Sequence, residues 1–191
     1  MIHLEKGGRI NLAKNHPGLT KIKVGLSWDA NAYGSGPDFD IDASVFVLGQ
    51  GKLLSDEHFV FYNNLQTPDG SVSHSGDNRT GQAEGDDESI TIDLAALPPQ
   101  ADELSFVVTI HDAADRRQNF GQVRNSAIRL YDLEQGAVIG QYKLEQEFST
   151  ETALQFGSVR KNDVGEWSFV AVGAGYRRGL IDFVRAYGGN V

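Results

Sequence analysis

The chain has 191 residues, with 17 Lys and Arg against 26 Asp and Glu, a formal net charge of −9 and no cysteine. That balance disfavours generic nucleic-acid binding, which needs basic side chains against phosphates, and unaided docking on an anionic membrane. Lack of cysteine excludes disulfides, thiolate metal sites and thiol catalysis.

The first eight residues, Met1-Ile2-His3-Leu4-Glu5-Lys6-Gly7-Gly8, hold no long apolar run and no cleavage pattern. No segment reaches the roughly 20 apolar residues that span a bilayer, so the chain reads as soluble and cytoplasmic. Residues 22–28 alternate apolar with polar or small side chains, which predicts a half-buried strand. Residues 29–37 are a loop by composition. Val45-Phe46-Val47-Leu48 is continuously apolar, as a strand buried on both faces would be. His58-Phe59-Val60-Phe61-Tyr62 is aromatic and β-branched, and a turn at Pro68-Asp69-Gly70 leads into a short strand at 71–75.

Ile90, Ile92 and Leu94 point one way from the next strand, and residues 104–110 carry the strongest strand signal of all. Residues 113–119 predict a short helix. Strand pairs follow at 128–132 with 138–144 and at 153–160 with 166–172. Leu180, Phe183 and Val184 share one face of a helix predicted near 179–187. About nine short strands at regular spacing predict a mainly β protein, an antiparallel β-sandwich in one domain over residues 1–191.

Two acidic segments carry the chemistry. In the first, Asp38, Asp40 and Asp42 line one face of an extended chain, while Phe39, Ile41 and Ala43 line the other. Like charges in a row point to a bound cation, and hard oxygen donors point to Ca²⁺. Residues i and i+2 of a strand lie about 6.6 Å apart, so Asp38 and Asp42 would stand about 13 Å apart. Either a turn folds Asp38 back, or two ions share the row. The second segment offers Asp77, Asp86 and Glu88, the amide oxygen of Asn78, and Gly76, Gly81 and Gly85, which let the loop curl. Asp29, Glu84, Asp87 and Asp112 are further oxygen donors. His111-Asp112 joins the site if its strand runs antiparallel to its neighbours.

The helix–loop–helix calcium pattern fails, because Ala43 replaces its glycine and Gly49 its glutamate. The five histidines show no metal-ligand spacing. Asp115-Arg116-Arg117 invites an anion-binding reading, against which ion pairing near the acidic loops is the plainer account. Isolated acidic runs are usually solvated surface; two of them at the mouths of strands set a bound metal level with that reading.

The chain resembles the tellurium-resistance TerD family. The matching segments include Val24-Gly25-Leu26-Ser27-Trp28-Asp29, the Phe39-Asp40-Ile41-Asp42-Ala43-Ser44 block, and the Gly76-Asp77-Asn78-Arg79-Thr80-Gly81 block running on to Glu88. Arg117-Gln118-Asn119-Phe120-Gly121 and Val172-Gly173-Ala174-Gly175-Tyr176 continue it. The resemblance implies a β-sandwich that binds Ca²⁺ in the acidic loops, two ions in expectation, with no known enzymatic activity. It also implies a part in resistance to tellurite and other stresses, with sister proteins and an inner-membrane partner. One departure stands out: the family's Thr-Gly-Glu-Gly-Asp-Gly-Asp-Asp-Glu is here Thr80-Gly81-Gln82-Ala83-Glu84-Gly85-Asp86-Asp87-Glu88. Two competing functions share the carboxylates: a two-metal phosphohydrolase or nuclease, and a Ca²⁺-dependent membrane-docking module.

Overall fold

The computed structural model describes residues 1–30, 36–81, 85–144 and 148–190. Thirteen strands form among them. The first seven are β1 (Ile2–Leu4), β2 (Arg9–Asn11), β3 (Lys21–Ser27), β4 (Ile41–Gly49), β5 (Lys52–Leu53), β6 (Phe59–Val60) and β7 (Val72–His74). The remainder are β8 (Glu88–Asp93), β9 (Glu103–Ile110), β10 (Ala127–Asp132), β11 (Ala137–Lys143), β12 (Ala153–Lys161) and β13 (Trp167–Tyr176). Three helices, α1 (Leu12–Asn15), α2 (Ala113–Arg116) and α3 (Leu180–Ala186), complete the regular structure together with two single 3₁₀ turns.

The strands make two sheets, in the orders β1-β11-β10-β3-β8-β7 and β2-β13-β12-β9-β4-β5, with β6 also paired to β4. This is the predicted mainly β, two-sheet architecture, with thirteen strands where the sequence predicts about nine and one departure from antiparallel pairing. Strand β1 runs parallel to β11, whereas every other named pairing is antiparallel. The physical reason is local. β1 and β2 belong to different sheets, and the chain crosses between them at residues 5–8, where Gly7 takes φ +82°. No hairpin ties β1 to its neighbour, so no tight turn forces antiparallel pairing.

Strand β4 fixes the layering. Ile41, Ala43, Val45 and Val47 join the core between the sheets. Phe46 and Leu48, of opposite parity, pack instead with Phe183 and Val184 of α3. The strand is therefore covered on both sides, which is why residues 45–48 are apolar without interruption. Asp40 and Asp42 have the parity of Phe46 and Leu48, so the strand that builds the core also carries the carboxylates past it. Helix α2 is one turn long, shorter than the predicted 113–119, because Arg117 enters the left-handed region at φ +54° and stops it.

Candidate metal centre

Strand β4 is hydrogen-bonded to β9 along its length, but its other edge is covered by β6 only at Val45 and Phe46. Beyond that point the peptide groups of Ala43 face away from β9 and need other partners. Two side chains from the opposite sheet supply them. Glu88, at the start of β8, accepts the Ala43 N–H at 2.7 Å, and the ring nitrogen Nε2 of His74, at the end of β7, lies 3.0 Å from the Ala43 carbonyl oxygen.

The same two side chains hold the acidic loop. The Gly76 N–H donates to His74 Nδ1 at 2.9 Å, and the Asn78 N–H donates to Glu88 Oε1 at 3.2 Å. Accepting at Nδ1 leaves the ring proton on Nε2, where it points at the Ala43 carbonyl and, at 3.3 Å, at Glu88 Oε2. Both side chains are fully buried. Each neighbour of Asp77 is thus fastened to the residue that follows Asp42.

The result is a trio. One carboxylate oxygen from each of Asp40, Asp42 and Asp77 lies within 4.8 Å of the others. Asp40 and Asp42 are buried, at 6% and 4% exposure. The trio opens on a cavity of about 370 Å³ that Asp38, Tyr62, Arg79, His111 and Arg116 also line. Positive charge stands beside it: Arg79 Nε is 2.8 Å from Asp77 and Arg116 is 3.7 Å from Asp40. His111 Nδ1 is 3.9 Å from Asp42, because β9 runs antiparallel to β4 and its end meets the beginning of that strand. Burial raises the Asp42 carboxyl to about 8, with the charges of Glu88, Asp40 and Asp77 adding to it. Burial also raises Asp40, against the opposing pull of His111.

The remaining candidate residues divide by what they touch. Asp86 is not with the trio. Its carboxylate accepts from Lys23 Nζ at 2.8 Å, from the Tyr131 hydroxyl at 2.9 Å and from Arg129 at 3.3 Å. It lies over Gly25, where an added Cβ would stand 2.2 Å from its oxygen, so the missing side chain of Gly25 makes its seat. Asp87 accepts from the Trp28 N–H at 3.0 Å and from the Asn78 amide at 3.2 Å. The Asn78 side-chain oxygen takes the N–H groups of Thr80 and Gly81, an Asx turn that leaves Gly81 at φ +65° against the Trp28 ring. Glu88 is the fastener described above.

Asp38 lines the cavity, but its carboxylate is outside the trio. Asp112 pairs with His111 at 3.4 Å, and Asp29 accepts from the Asn125 amide. Glu84, like Gln82 and Ala83, lies outside the described residues. Sequence reasoning gave His74 no role. Its only signal was a parity that puts it inside the sandwich.

A two-sheet β protein with an oxygen-only carboxylate trio at one end of the sandwich defines a class suited to a hard cation. The TerD domain matches residues 1–187. Tellurium resistance protein TerD of Serratia marcescens is 49% identical over 190 residues, covering 99% of this chain and 98% of its own length. General stress protein 16U of Bacillus subtilis is 48% identical, covering 98% and 97%. The crystal structure of a homologue of telluride resistance protein (TerD), SCO6318 from Streptomyces coelicolor, superposes with a TM-score of 0.73 at 23% identity over 87% of this chain and 95% of that one. The chain belongs to the TerD family.

Two outcomes follow from the geometry. Glu88→Gln sets an amide NH₂ against one of the two backbone N–H donors and should cost about 1–3 kcal/mol in urea unfolding; a cost near zero would show that the bridge does not hold the loop. Asp42 ionises near 3.8 when unfolded and at about 8 in the fold, so between these values the folded protein keeps a proton that the unfolded chain has lost. The stability it contributes is complete below about 4 and declines as pH rises towards 8. In chelator-treated protein, Asp42→Asn should therefore gain on wild type as pH rises through this window, and a pH-independent difference would contradict the assignment.

Proposed function

We propose that this protein is a non-catalytic, Ca²⁺-binding stress protein whose ion is held by Asp40, Asp42 and Asp77. The observation that carries the reading is the trio itself: three carboxylates on two separate segments, two of them buried, brought within the span of one ion. Ca²⁺ takes oxygens at about 2.3–2.6 Å, so opposite ligands stand about 5 Å apart, which matches the spacing. It also takes six to eight of them, and Asp38 on the cavity wall with water completes the set. Binding neutralises charges that the fold holds together at a cost, and it displaces the proton that Asp42 retains near neutral pH.

The second expected ion finds less support. Asp86, Asp87, Asn78 and Glu88 already spend their oxygens on hydrogen bonds within the chain. The names of the relatives support a role in tellurium resistance and general stress. Related proteins such as TerZ of Serratia marcescens, 32% identical to this chain, make a sister-protein partner reasonable. No helix among the described residues is long and apolar enough to cross a membrane. We place the protein in the cytoplasm, where an ion-loaded surface at the sandwich end could act as a scaffold at the inner membrane.

Calcium added to chelator-stripped protein should raise its Tm, with about 2.7 kcal/mol of stabilisation at 100 times Kd. Asp77→Ala should remove most of that gain. Asp86→Ala should lower the starting Tm yet keep the gain. No shift in wild type at millimolar Ca²⁺ would sink the reading.

A further inference from the structure

Arg116 lines a second cavity, of about 630 Å³, bounded by residues 36–39 and 116–124. Arg117 and Arg124 share its wall, together with Gln118 and Phe39, and no Asp or Glu is among the described residues that line it. In a chain of net charge −9, three guanidinium groups therefore meet one cavity without a carboxylate on its wall. Arg116 is drawn towards Asp40, but Arg117 and Arg124 make no ion pair among the described residues.

Gln118 ties the two sides of the wall together. It is 7% exposed, and its amide nitrogen donates to the Pro37 carbonyl at 2.9 Å and to the Asp38 carbonyl at 3.4 Å. Those bonds fix which end of the amide is which. Its oxygen, Oε1, is buried and has no hydrogen-bond partner among the described residues. The two amide-nitrogen bonds hold the bounding segments together, while Oε1 lies out of reach of anything in the cavity. Arg117 stands at φ +54°, a position that usually goes to glycine, and conformational cost of this kind tends to collect at binding sites.

Guanidinium forks match the oxygens of phosphate. The cavity has the volume of a small-molecule site. We propose that it binds a small phosphate monoester, with Arg117 and Arg124 on the phosphate oxygens. This does not rest on the metal reading, because neither of those arginines touches the carboxylate trio.

Glycerol 3-phosphate titrated calorimetrically into chelator-treated protein tests it, with glycerol as the uncharged control. Vesicles of phosphatidylcholine doped with phosphatidylglycerol form a parallel arm, since that anionic headgroup presents its phosphate at a lipid surface. Saturable binding of the free ester is expected, weakened about tenfold by Arg124→Ala or by Arg117→Gly. Glycine suits the backbone at 117, so that variant should fold and melt at or above the wild-type temperature. Arg160→Ala, which removes an arginine paired to Glu103 at 3.0 Å, should leave binding unchanged. Binding to vesicles alone, with the same dependence on Arg117 and Arg124, supports the site and assigns lipid as the source of the phosphate. Absence of binding in both arms overturns the proposal. So does binding that ignores Arg117 and Arg124, or that falls equally with Arg160→Ala.

Discussion

The peptide of Ala43 is held by two side chains where a sheet would ordinarily supply a strand. Glu88 takes its N–H and His74 faces its carbonyl, and each reaches on to a backbone N–H flanking Asp77. One arrangement therefore does three things. It satisfies an edge of β4 that would otherwise be buried and unpaired. It joins the two sheets at one side of the sandwich. It brings a loop carboxylate over the buried carboxylates of Asp40 and Asp42, at the start of β4.

The rest of the acidic loop is fastened in the same spirit. Asp86 sits on the Gly25 gap between Lys23, Arg129 and Tyr131, and Asp87 holds the start of the loop to Trp28. Most carboxylates in this segment are thus structural, each meeting cations or N–H donors that make burial tolerable. Asp40, Asp42 and Asp77 differ because they meet one another. Arg79 and Arg116 relieve part of that repulsion, and burial keeps Asp42 protonated well above the usual carboxylate range. A site assembled against its own charge gains most from a divalent ion, and the gain appears as folding stability because the unfolded chain has no such site.

The sandwich itself was legible in the sequence. Alternation located β3 and β8, and the unbroken run at 45–48 announced a strand covered on both faces. Strands β1, β2 and β5 were not legible, since two or three residues carry no period, and the parallel pairing of β1 depends on a crossing between sheets that no local pattern encodes. For the site, parity put Asp38, Asp40 and Asp42 on one face, of which only the last two join the trio, and the second acidic block supplied Asp77. What could not be read was which acidic residues are fasteners. Asp86 and Glu88 have the chemistry of ligands, and their roles are decided by Gly25, Lys23, Arg129 and His74, up to dozens of residues away. His111 arrived as expected once β9 proved antiparallel to β4.

Anomalous diffraction from crystals grown with a lanthanide in place of calcium tests the central claim most directly, because such ions seek the same hard oxygen ligands. The account predicts a peak between the carboxylates of Asp40, Asp42 and Asp77, with the Glu88 and His74 bonds to Ala43 intact and no peak at Asp86. A peak coordinated by Glu88 or Asp86, or density that leaves Asp77 turned away into solvent, would contradict it.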